Sequence, residues 1–86
     1  MKKVFSENAW QDYLYWQTQD RKTLKRINQL IRNIESTPFE GLGRPVELRF
    51  NYAGYWSRRI NPTDRLIYRV DDDSIYLLAC RTHYQK

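Results

Sequence analysis

The chain predicts an α+β fold, with two N-terminal helices packed on one face of a twisted antiparallel sheet of four or five strands. Three observations carry this. Apolar residues recur at helical spacing in two successive segments of the N-terminal half. After a loop with two glycines, Gly41 and Gly43, the pattern switches to alternation. The strand-like segments beyond that loop are joined by short turns, which favour antiparallel neighbours.

Lys2–Phe5 reads as a short first strand. Ser6 is a suitable helix N-cap, and Glu7 places a negative charge where the helix dipole is positive. Ala9, Trp10, Tyr13 and Leu14 then mark a helix to about Gln17. Asp20 can cap a second helix. Its apolar stripe is Leu24, Ile27, Leu30, Ile31 and Ile34, and Arg21, Lys22, Lys25, Arg26 and Arg32 populate its other faces. This helix must stop by Pro38, whose ring disfavours the α region at Thr37. Phe39-Glu40-Gly41-Leu42-Gly43-Arg44-Pro45 is a loop. Val46, Leu48 and Phe50 then alternate with Glu47 and Arg49, which assigns the two sets to opposite faces of a strand.

Asn51-Tyr52-Ala53-Gly54 turns the chain into a strand over residues 55–60. Asn61-Pro62-Thr63-Asp64 turns it again into Arg65–Val70, and Asp71-Asp72-Asp73-Ser74 into a last strand over 75–81. Parity groups Arg65 with Ile67 and Arg69, and Ala79 with Arg81 and His83, unless a bulge intervenes. Trp10, Trp16 and Trp56 are expected in the core, and Cys80 as a small buried residue there.

Eighty-six residues make one domain spanning 1–86. Aromatics at 15% can build a core in so short a chain, because each ring buries a large area. No apolar run approaches the roughly 20 residues of a membrane span. The N-terminus turns polar too soon for a signal peptide, so the expected location is cytoplasmic, with no membrane partner. A net charge of +5 favours polyanions, nucleic acid first. One cysteine excludes an internal disulfide, and no cluster of carboxylates, histidines or cysteines suggests a metal; neither metal nor cofactor is expected.

The C-terminal part gathers the only histidine and several arginines on strand-like segments. RNA carries its own nucleophile, the 2′-hydroxyl. A protein that cuts it must move two protons and steady charge on the phosphate. His83 suits an acid or base role, Arg65 and Arg59 the phosphate, and Glu47 a base. Tyr84 could stack on a base or donate to phosphate. Each has a plainer reading. His83 could be an ordinary surface group, Arg58 and Arg59 could decorate an edge strand, and Glu47 could pair with Arg49 on one strand face.

Five segments are familiar: Trp10-Gln11-Asp12-Tyr13-Leu14-Tyr15-Trp16-Gln17, the Thr37 to Pro45 loop, Gly54-Tyr55-Trp56-Ser57-Arg58-Arg59-Ile60, Arg65-Leu66-Ile67-Tyr68 and Cys80-Arg81-Thr82-His83-Tyr84. In order and over nearly the whole chain they resemble the YoeB/Txe toxins of the RelE/ParE superfamily of toxin–antitoxin systems. The resemblance implies a RelE-like fold and a ribosome-dependent mRNA interferase that cuts message in the A site of the 70S ribosome. It implies a YefM-like antitoxin, and an assembly such as a homodimer or a toxin–antitoxin hetero-oligomer. By position, His83 matches the general acid, Tyr84 the terminal tyrosine and Arg65 the phosphate-stabilising arginine. Arg59 matches a further cleft arginine, and Arg49 stands where the family often has lysine; Arg58 and Arg81 are additional candidates for RNA contact.

The chain departs from the family at the base. The glutamate expected directly after the Gly-Arg-Pro step is Val46, with Glu47 one place later. A one-residue shift on a regular strand turns a side chain to the other face. Either a bulge returns Glu47 to the cleft or the base is missing. The acid expected two residues before Arg65 is Thr63, with Asp64 beside it. Two other readings stay open: a ParE-like gyrase inhibitor that shares the fold, and a catalytically weakened ribosome-binding protein.

Overall fold

The computed structural model describes residues 1–82. The elements in chain order are β1 (Lys2–Phe5), α1 (Glu7–Gln19), α2 (Arg21–Ser36), β2 (Val46–Glu47), a 3₁₀ turn (Phe50–Tyr52), β3 (Trp56–Arg59), β4 (Arg65–Val70) and β5 (Ser74–Thr82). They form one five-stranded sheet of order β1-β5-β4-β3-β2, with both helices packed on one face.

The helix boundaries follow local chemistry. Ser6 Oγ accepts from the Ala9 amide at 2.9 Å and donates to the Leu78 carbonyl at 2.8 Å, so one hydroxyl both caps α1 and ties it to β5. Asp20 accepts from the Lys22 and Thr23 amides and the Thr23 hydroxyl, and that hydroxyl bond holds its carboxyl below the usual range. Helix α2 ends at Ser36, with Thr37 as its C-cap immediately before Pro38. Ile27, Leu30, Ile31 and Ile34 of α2 then bury against Leu66, Tyr68, Ile75, Leu77 and Cys80.

The sheet is mixed rather than wholly antiparallel. β2, β3, β4 and β5 form an antiparallel meander, but β1 runs parallel to β5. Short turns set the direction of consecutive strands only. β1 has no turn to its partner, which lies about seventy residues further on, and the intervening helices return the chain the other way. A second correction concerns the strand expected over 46–50. Leu48 still bonds to the Tyr55 carbonyl and is buried. Phe50 adopts a φ of 57°, enters the 3₁₀ turn and is 89% exposed, because the connection to β3 closes with bonds from Tyr52 to Arg49 and from Ala53 to Phe50.

Trp16 is a core residue, and Trp56 packs half-buried against that core and Phe39. Trp10 is not: it lies exposed, stacked on Tyr13 and edge-on to Phe5. Cys80 is fully buried, and burial pushes its thiol up to about 12, which keeps it protonated and inert.

Candidate nucleic-acid interface

The site grows from the face of the sheet turned away from the helices. Leu66, Tyr68 and Val70 point into the helix-side core, so Arg65, Ile67 and Arg69 share the other face. On β3, Ser57 pairs with Ile67 and Arg59 with Arg65. On β5, Ala79 pairs with Ile67 and Thr82 with Arg65. A concavity of about 310 Å³ opens there, lined by Gly43, Arg44, Val46, Leu48, Ser57, Arg59 and Arg65.

The loop before β2 closes one side of it. Gly43 lies so near β3 that a Cβ would sit 3.0 Å from the Arg59 carbonyl oxygen and 3.1 Å from Arg58 Cβ. This approach lets the Arg59 amide donate to the Gly43 carbonyl at 2.6 Å. Arg44 follows in the left-handed region, φ 53°, and supplies a third cation to the rim. Its place in the cleft was missed in the sequence; the signal was its position between a glycine and a proline, where ordinary helical backbone is disfavoured.

Arg59 and Arg65 are directly opposite across antiparallel strands. Like charges in that relation destabilise a sheet unless an anion lies between them. The Arg65 guanidinium is aimed by its Nη1, which donates to the Asn61 and Asp64 carbonyls at 3.0 and 3.1 Å. Neither bond neutralises its charge. Among the described residues the ion pairs join Glu35 to Lys3 and to the N-terminus, so no carboxylate answers Arg44, Arg59 or Arg65. The arrangement can hold a phosphodiester by charge-assisted, forked hydrogen bonds.

Other candidates lie elsewhere. Arg58 is fully buried, so it does not face a ligand. Its Nε donates to the Tyr68 hydroxyl, Nη1 to Asn33 Oδ1 and the Leu42 carbonyl, and Nη2 to the Thr37 and Glu40 carbonyls. All five donors are used, on neutral acceptors near the negative end of α2. Arg58 staples the 37–42 loop that leads to Gly43 and Arg44. Arg81 is displaced by the irregular pairing between Ala79 and Thr82; its guanidinium lies 3.5 Å from the centroid of the Tyr15 ring on α1, not beside Ala79. Arg49 is exposed at the start of the 3₁₀ turn and does not line the concavity.

Glu47 is the main correction. Val46 pairs with Ser57 and Glu47 with Trp56 without a bulge. Ser57 faces the concavity and Trp56 faces the helices. Val46 and Leu48 therefore line the cleft and Glu47 between them does not. Asp64 does not replace it: its carboxylate accepts from the Asn61 amide group, and its charge bears on Asp12 and Cys80 on the helix side. His83 and Tyr84 lie outside the described residues.

Two helices on one face of a five-stranded mixed sheet, with a cationic hollow on the other, make a RelE-like toxin fold. A family model described as "YoeB-like toxin of bacterial type II toxin-antitoxin system" matches residues 5–84, and the chain belongs to that family. It is 52% identical over 84 residues to Toxin YoeB of Escherichia coli (strain K12), covering 98% of this chain and 100% of that one. It superposes on a YoeB dimer from Staphylococcus aureus with a TM-score of 0.93 at 44% identity, covering 98% of each chain. A heterotetrameric YoeB–YefM toxin–antitoxin complex from the same species gives a TM-score of 0.91 at 44% identity, again over 98% of each chain.

Proposed function

We propose that this chain, acting as one toxin domain over residues 1–86, is a ribosome-dependent endoribonuclease that cuts mRNA in the A site. The 2′-hydroxyl oxygen attacks the adjacent phosphorus, the bond from phosphorus to the 5′-oxygen breaks, and His83 gives that oxygen its proton. The products are a 2′,3′-cyclic phosphate and a 5′-hydroxyl. Arg65 and Arg59 hold the phosphate and meet the charge that develops on it, and Tyr84 supports the same group. Arg44 extends the cationic wall along the strand. Because the nucleophile is the substrate's own and the guanidiniums supply fixed positive charge, the reaction needs no metal.

The observation that carries this reading is the Arg59–Arg65 pair. Two arginines stand opposite each other across neighbouring strands and line one concavity, without a carboxylate ion-paired to either among the described residues, beside Thr82, the residue that precedes His83 in sequence. Val46 occupies the place where the family resemblance puts a base. We therefore assign the 2′-proton to a water, and expect slower cutting than a carboxylate would give, since a general base typically contributes about 10²- to 10⁴-fold. The same valine favours one other reading, a toxin that occupies the ribosome and stalls it with the message intact.

By the relatives' assemblies, the partner is a YefM-like antitoxin and the free toxin is a homodimer. The site of action is the cytoplasm, where message is translated. No helix among the described residues is long and apolar enough to cross a membrane. Primer extension on an mRNA translated in the presence of the purified protein tests the proposal. Cuts within the A-site codon, lost in His83→Ala, support it. Stalled ribosomes on uncut message support the second reading.

A further inference from the structure

Strand β5 runs for nine residues, but β1 covers its outer edge only from Ser74 to Leu77. Beyond that point the edge would expose backbone groups. Helix α1 takes over from β1. The Ser6 amide donates to the Leu77 carbonyl at 2.9 Å, and the Ser6 hydroxyl donates to the Leu78 carbonyl. Asp12 Oδ2 then accepts from the Cys80 amide at 2.9 Å, and Trp16 Nε1 donates to the Cys80 carbonyl at 2.8 Å. Asp12 and Trp16 are one helical turn apart and so project from the same side of α1. Together they satisfy both backbone groups of one residue, as a neighbouring strand would.

Their target is the place where β5 leaves regular pairing. One irregularity of register falls on each side of Ala79, and the next paired position is Thr82 opposite Arg65. A bulged strand has no ladder of its own to set its course. Here the course is set from the helix. The Arg81 guanidinium over the Tyr15 ring and the Cys80 thiol directed at the Ala9 carbonyl reinforce it from neighbouring positions on α1. Asp12 is buried, a costly location for a carboxylate, and its Oδ2 is committed to the Cys80 amide and, more weakly, to the Asn8 side chain.

We infer that Asp12 and Trp16 are positioning residues: they clamp Cys80 so that the end of β5 seats Thr82 against Arg65 at the edge of the concavity. The inference rests on the proposed nuclease reading for its consequence, but not for the clamp itself. A misplacement of about 1 Å can cost about a hundredfold in rate.

The test compares Asp12→Ala, Asp12→Asn and Trp16→Phe in ribosome-dependent mRNA cleavage, with co-sedimentation on ribosomes as the binding measure. Asp12→Ala is expected to cut at least about tenfold more slowly with binding retained. Asp12→Asn keeps an oxygen acceptor for the Cys80 amide and should rescue cutting to near the wild-type rate. Equal loss in both Asp12 variants overturns the clamp in favour of a charge effect, and wild-type cutting by Asp12→Ala overturns it outright. If Asp12→Ala does not fold, Trp16→Phe decides: slower cutting with binding retained supports the clamp, and unchanged cutting overturns it. Should the wild type itself not cut, the nuclease reading fails, and amide hydrogen exchange tests the clamp alone. Faster exchange in Trp16→Phe confined to residues 78–82 supports it; unchanged exchange there, or a uniform rise through α2, overturns it.

Discussion

Arg58 and Arg59 are neighbours on β3, yet they belong to different worlds. Arg58 faces the helices, is wholly buried and spends five donors on a hydroxyl, an amide and three carbonyls. Arg59 faces the other way, is exposed and stands opposite Arg65. The first cation is satisfied by the protein; the second lines the open concavity. The same residue type on one strand is thus either bonded within the protein or presented to its surface according to which face it takes.

The largest expected effect tests the buried member. Arg58→Ala leaves the Thr37 and Leu42 carbonyls and the Tyr68 hydroxyl without the guanidinium donor, and each buried acceptor left unsatisfied costs about 1–3 kcal/mol. Urea denaturation should show the midpoint collapse; a loss under 1 kcal/mol would mean that the loop does not depend on Arg58. The next effect tests the other face. Arg65→Ala should lower mRNA cleavage by about 10²- to 10³-fold, the range for losing one preorganised donor to transition-state charge, with little change in the urea midpoint. A variant that instead unfolds would make Arg65 a second Arg58.

Two smaller effects probe the faces of β2. Val46→Glu places a carboxylate in the cleft beside Arg44, Arg59 and Arg65. It should accelerate cleavage by about tenfold or more, less than an optimised base because the nearby cations lower its basicity. No acceleration would show that proton removal does not limit the wild type. Glu47→Gln, on the helix-facing side opposite Trp56, should leave single-turnover cleavage within about twofold, against the larger loss expected of any general base. A tenfold drop would return Glu47 to the mechanism and refute the face assignment.

Much of the scaffold was legible because its causes are local. Ser6 and Asp20 mark helix starts by offering oxygens to bare amides, and Pro38 marks a stop by steric conflict. The stripe from Ile27 to Ile34 identifies the buried side of α2 by period alone. The arginines opposite each other in the cleft were both singled out from the sequence. Phe50 was misread because alternation cannot report where a strand yields to a turn.

Glu47, Arg58 and Arg81 were assigned to the site and lie outside it. Each is a question of which face a side chain takes, and a strand's face is defined only against its partners. Glu47 is committed by uninterrupted pairing with β3, and Arg58 by the side on which α2 lands. Arg81 is turned toward Tyr15 by an irregularity that α1 stabilises about seventy residues away in sequence. The sequence by itself determined the helices, most of the strands and the stock of cations. Tertiary structure alone decided the parallel placement of β1, the faces of those side chains and the emptying of the cleft of any described carboxylate. The physical reason is range: caps and periods act over a few residues, whereas register, bulges and burial are settled by contacts between segments far apart in the chain.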